Sequence, residues 1–160
     1  MIKACLVVSK LYLNNRIFAV EDKSFNRDNC LMPFAMLKRS LANMGCELAT
    51  QDISPIESSD IVIYFDIPAV LPPPEQAEKS FLIIYESELV SPMIGRKDLH
   101  RSFNKVFTYN DASLSDNRYV KLHLPICFPD EVIFDPTEKK RFCCMIAGNK
   151  MIRHGLELYS

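Results

Sequence analysis

The feature that most constrains this chain is a series of short, mostly apolar runs separated by polar crossovers: IKACLVV (2–8), CELAT (46–50), DIVIYF (60–65), FLIIY (81–85) and KVFTY (105–109). A strand with one wet face alternates apolar and polar residues, whereas a strand covered on both faces reads as a continuous β-branched run. FLIIY is the plainest case of the second kind, and coverage on both of its faces is expected. Strands of this type, joined by crossovers long enough to hold a helix, predict an α/β fold with a parallel sheet covered by helices. The best helix starts after Asn29. Pro33 falls in its first turn, Phe34, Leu37, Leu41 and Met44 recur at helical spacing, and Gly45 stands where a left-handed C-cap would close it. Phe34, Leu37 and Leu41 are expected to be buried against the sheet. Residues 97–104 suggest a short helix, and residues 14–29, polar and without a clear period, read as a loop over the sheet's edge.

The later part of the chain has a different texture. Pro72, Pro73 and Pro74 mark a surface excursion, and residues 125–136 carry Pro125, Pro129 and Pro136 together with Asp130, Glu131 and Asp135, the composition of a linker. Then come the basic Lys139, Lys140 and Arg141, an apolar run over 142–147, a turn at Gly148 and Asn149, and a helical pattern through Ile152, Leu156 and Tyr159. The expected division is an α/β domain over 1–125, a linker over 126–138, and the start of a second unit over 139–160.

Composition removes several function classes. Lys plus Arg is 19 and Asp plus Glu is 20, a formal charge of −1 with no basic tail, so a nucleic-acid or anionic-membrane binder driven by bulk charge is not expected. Only 4 glycines occur in 160 residues, with no G-x-G-x-x-G and no Walker A sequence, which leaves little material for a phosphate-cradling loop. Six cysteines, Cys5, Cys30, Cys46, Cys127, Cys143 and Cys144, form no C-x-x-C pair, and His100, His123 and His154 lie far apart. Reduced thiols packed as small hydrophobes, and no metal site, are the expectation. The first apolar run is too short for a signal-peptide core, no 18 apolar residues run together, and no Asn-x-Ser/Thr acceptor occurs. A cytoplasmic protein, or one peripheral to a membrane, without an integral membrane segment is expected.

Chemistry in an open parallel sheet gathers beyond the carboxyl ends of its strands. Glu86 and Glu88 directly follow FLIIY, beside Tyr85, Leu89 and Val90. A carboxylate partly desolvated there would have a raised pKa, suited to a general base. The plainer reading is a pair of solvated loop or N-cap acids. Asp66 after DIVIYF, and Asn110 with Asp111 after KVFTY, occupy the same kind of position. Arg153 follows the Gly148–Asn149 turn, near a helix start where backbone amides favour anions, so it would suit a diphosphate or else be an exposed helix-face arginine. No Asp-x-Asp occurs to bridge a metal to a nucleotide sugar.

Taken as strings, FLIIYESELVSP (81–92), FNKVFTYND (103–111), YVKLHLP (119–125) and KKRFCCMIAGNKMIRHGLELYS (139–160) together resemble the α1,3/α1,4-fucosyltransferases, glycosyltransferase family ten. In order and spacing they are similar to that family's acceptor-domain glutamate loop, its F-[DN]-x-[VI]-F-T-[YW]-[ND]-D strand and turn, a short strand ending in Pro, and the K-x-x-F-C-x-x-I-x-x-N…R opening of its nucleotide-binding domain. The likeness covers about half the chain, from Phe81 onward. It implies two Rossmann-like domains facing across a cleft (GT-B), of which this chain would be the N-terminal half. It also implies inverting, metal-independent transfer of fucose from GDP-fucose to a glycan hydroxyl. The family's base falls on Glu86, with Glu88 the alternative because the loop aligns either way, and donor contacts fall on Arg153 and Asn149. The family's later donor motif would lie past Ser160, so the chain by itself is expected to lack transferase activity. A non-catalytic α/β module that binds carbohydrate or another protein is the alternative, and a small complete enzyme the third.

Overall fold

A computed structural model of the chain describes residues 1–125 and Thr137. The chain divides into two units, Met1–Cys127 and Phe128–Ser160, and every described strand and helix belongs to the first. Six strands form one sheet: β1 (Ile2–Val7), β2 (Cys46–Thr50), β3 (Ile61–Phe65), β4 (Ser80–Ile83), β5 (Lys105–Thr108) and β6 (Tyr119–Lys121). Their order is β2-β1-β3-β4-β5-β6, and every neighbouring pair is parallel. Two α-helices join them, α1 (Met32–Asn43) and α2 (Lys97–His100), with several 3-10 turns. This is the Rossmann-like α/β class expected from the apolar runs, and the strand limits fall within two residues of those runs, β4 ending earliest, at Ile83 where the run continues to Tyr85.

The two faces of the sheet are covered differently. Cys5, Val62, Tyr64, Leu82, Ile84 and Val106 point to one face and are all buried. The segment from the 3-10 turn Pro92–Gly95 through α2 closes that face with Ile94, His100 and Phe103, whose ring meets Tyr64 edge-on at 5.3 Å. On the other face, Ala4, Leu6 and Leu48 are buried under Ile17, Leu31 and Phe34. Phe34 meets Phe65 edge-on at 4.9 Å. Farther along this face Ile63, Phe65, Phe81, Ile83 and Phe107 are only partly buried and line an apolar groove of about 520 Å³. The expectation that 81–85 is covered on both faces is therefore corrected. α1 packs on β2, and a 12-residue helix, one roughly 10–12 Å wide, cannot also roof strands ~4.8 Å apart out to β5.

Three other expectations change. Leu37 and Leu41 are half-buried and Met44 is 77% exposed, so the buried stripe of α1 narrows toward its C-terminus. The helix expected over 97–104 is one turn only. The Phe103 amide donates to the His100 carbonyl at 3.1 Å and Asn104 to the Ser80 carbonyl at 2.8 Å, so the chain is already joining the sheet. Residues 14–29 are not a loop over the edge. Ile17 is 1% exposed in the core, and the surrounding turns use Asn14, Asn15, Asp28 and Asn29 at φ between 53° and 60°. Asn and Asp adopt that left-handed conformation more readily than other non-glycine residues, so the segment packs tightly without any hydrophobic period.

Candidate functional site

With strand order β2-β1-β3, the topological switch lies between β1 and β3, where ligands of open parallel sheets commonly bind. Here the end of β1 is occupied by its own chain. Gln51 donates to the Val8 carbonyl at 2.7 Å and accepts from the Val8 amide at 3.1 Å. The polar groups gather instead beyond β3, β4 and β5.

Asp66, at φ 60°, turns its carboxylate toward the next strand's exit, where Oδ1 accepts from the Tyr85 amide at 2.8 Å and the Glu86 amide at 3.2 Å. From the other side the Tyr109 hydroxyl donates to the Glu86 carbonyl at 3.1 Å. The backbone at Glu86 is thus held between residues that follow β3 and β5, while its side chain is exposed. Glu88 is also exposed, and its carboxylate lies against Gly95: a Cβ on Gly95 would stand 2.8 Å from both Cδ and Oε2 of Glu88. The structure thus brings Asp66, Glu86 and Tyr109 together and puts Glu88 beside the loop that carries Gly95. Both glutamate side chains are exposed, which is the plainer of the two readings, a pair of solvated loop acids. Asn110 accepts from the Ala112 amide at 3.0 Å, and Asp111 forms an ion pair with Lys121, which is the ordinary work of a turn.

The desolvated titratable group is His100, 3% exposed, whose Nδ1 lies 2.9 Å from the Tyr119 hydroxyl. Burial holds its imidazole below the usual histidine range and the Lys97 charge acts the same way, against the Ile94 carbonyl, Asp98 and Glu88, which favour the proton. Nε2 has no hydrogen-bond partner among the described residues. Burial likewise pushes the Tyr119 phenol up. His100 and Tyr119 line a cavity of about 50 Å³ with Glu88, Thr108 and Ser113, at the carboxyl ends of β4 and β5. The sequence offered no role for His100, Tyr119, Thr108 or Ser113: Thr108 and Tyr119 stand inside strand motifs, His100 and Ser113 in none, and only the fold joins the four.

Arg153 and Asn149, with Cys127, Cys143 and Cys144, lie outside the described residues. Cys5 and Cys46 are buried free thiols, as expected of small hydrophobes, whereas Cys30 is exposed. Burial, helped by Glu57 and Asp52 and opposed by Lys79, pushes Cys5 up to about 12, so it is no nucleophile at neutral pH. Among the described residues no group of three His, Cys, Asp or Glu is placed to hold a metal ion, and no helix is long and apolar enough to cross a membrane. Comparison of the chain with protein-family models, curated proteins and solved structures gives no match.

Proposed function

We propose that this chain is the acceptor-side part of an inverting, metal-independent glycosyltransferase of the family-ten fucosyltransferase kind, moving fucose from GDP-fucose to a glycan hydroxyl. One observation carries the reading beyond the motif strings. The Glu86–Glu88 loop leaves the carboxyl end of a central parallel strand, with its backbone clamped by Asp66 and Tyr109 and its carboxylates open to an incoming hydroxyl. In the proposed reaction the acceptor oxygen attacks the anomeric carbon from the side opposite the nucleotide. Its proton passes to Glu86, or to Glu88, and the carbon–oxygen bond to the diphosphate breaks with both electrons leaving on GDP. The clamp serves this step by fixing the loop while leaving the carboxylate accessible. Arg153 and Asn149 are assigned to the diphosphate by the resemblance alone.

The test is GDP release by the full-length protein given GDP-fucose and a panel of glycans. Glu86→Gln should lower kcat by about a hundredfold or more, with GDP-fucose affinity nearly unchanged. If Glu88→Gln is the inactivating change, the base is Glu88. Wild-type turnover in both variants, or no GDP release with any acceptor, overturns the reading in favour of a non-catalytic carbohydrate-binding or interaction module.

A further inference from the structure

The cavity at His100 is built differently from the exposed loop above it. Its exposed lining residues are Glu88, Lys97 and Asn110, of which the first two carry opposite charges at the mouth. Its buried lining residues include Ile84 and Ile94, which are apolar, and His100, Thr108, Ser113 and Tyr119, which are polar. Thr108 Oγ1 accepts from the Asn110 amide at 3.1 Å, keeping its own proton to donate. His100 Nε2 is the one buried side-chain polar atom among the described residues without a hydrogen-bond partner. Buried polar atoms are nearly always paired, so an orphan beside a cavity marks a place where a partner from outside belongs.

Size and charge together select the partner. About 50 Å³ compares with the roughly 10–15 Å³ that one water needs on the same measure, so the space holds a few heavy atoms, enough for a hydroxyl and the carbon bearing it but too few for a whole sugar ring. The balanced mouth gives a phosphate or carboxylate no net attraction. Two isoleucines suit a methylene, and two hydroxyls with an imidazole suit a group that both donates and accepts. We propose that this cavity is a subsite for the hydroxymethyl arm of a hexose, with the ring lying across the Glu88 and Lys97 mouth. That the hexose belongs to an acceptor glycan rests on the glycosyltransferase reading; the pocket's preference for the arm does not.

Two probes differ by that arm alone: methyl β-D-glucopyranoside and methyl β-D-xylopyranoside. Titrated into the 160-residue chain and followed by NMR, the glucoside should shift the His100 ring signals saturably while the xyloside leaves them in place. Equal shifts with both sugars, or none with either, overturn the proposal. Because His100 variants risk unfolding, Ser113→Ala supplies the second arm. It should weaken the glucoside about threefold to tenfold, the loss of one neutral hydrogen bond, and an unchanged affinity counts against the subsite. GDP release by the full-length protein without this shift sinks the subsite and leaves the transferase reading. The shift in a protein that releases no GDP with any acceptor sinks the transferase reading and leaves the subsite.

Discussion

The two faces of the sheet carry nearly the same kind of residue and meet opposite fates. Leu82 on β4 is fully buried under Phe103 and Ile94, whereas its neighbour Ile83 looks into an open groove. The closed face is covered by irregular chain with one helical turn. The face that carries the only long helix among the described residues stays half open, because α1 packs over β1 and β2. Burial here is set by where a side chain lands relative to β3–β5, and regularity of the covering element counts for little. The candidate site follows the same division. The cavity at His100 belongs to the closed face, where Ile84 and Thr108 point, and so gains a desolvated imidazole, while Glu86 and Glu88 stand free in the loop beyond the strand.

The sharpest way to break this comparison is to truncate adjacent residues of β4. Leu82→Ala removes a fully buried side chain from packed surroundings and should cost about 2–5 kcal/mol. Ile83→Ala removes a similar volume from the groove wall, where water already reaches, and should cost no more than about half as much. Urea denaturation of both variants decides it. Equal losses would mean that the open face is covered in solution.

A smaller effect tests the closed face by pH. Cys5 is fully buried in it, and burial takes its thiol from an ordinary 9.0 to about 12. Between those values the unfolded chain has lost the proton while the folded chain keeps it, so protons bound are fewer in the unfolded state and stability must fall as pH rises through the window. One such group contributes a slope of up to about 1.4 kcal/mol per pH unit. Denaturation between neutral pH and pH ~10 should show the wild type falling more steeply than Cys5→Ala. Parallel profiles would show that Cys5 ionises as readily folded as unfolded, and hence that this face is wetter than its packing indicates.

These tests also mark what could be read from the residues. The strands were legible because each is a compact apolar run, and β2 matches its run, 46–50, at both ends. Which side of each run would be closed was not legible, since FLIIY reads the same whether one face or two is covered. Residues 14–29 failed for the opposite reason: their order comes from left-handed Asn and Asp and from pairs such as Asn15 with Thr50, each amide donating to the other's side-chain oxygen at 3.0 Å, which have no period to detect. In the candidate site, the acids at strand ends were visible because position after a strand is a local property. His100 with Tyr119, and the clamp of Asp66 and Tyr109 on Glu86, depend on contacts across 19 to 23 residues, which only the parallel register creates.

The mildest test concerns the end of α1 and so the helix that covers the other face. Gly45 has φ 78°, its amide donates to the Ala42 carbonyl at 3.0 Å, and its carbonyl accepts from the Ile2 amide at 3.3 Å, tying the helix exit to the start of β1. Nothing lies within 4 Å of where a Cβ would be, so any cost of a side chain there comes from the backbone conformation alone. Gly45→Ala should therefore lose about 1–2 kcal/mol, the penalty of placing an ordinary L-residue in the left-handed region. Gly45→Asn, which tolerates that region better, should lose visibly less although its side chain is larger. That ordering in thermal or urea denaturation identifies conformation as the cause. The reverse ordering would point to crowding at this turn, and α1 would then be seated more tightly on β2 than the open space around Gly45 implies.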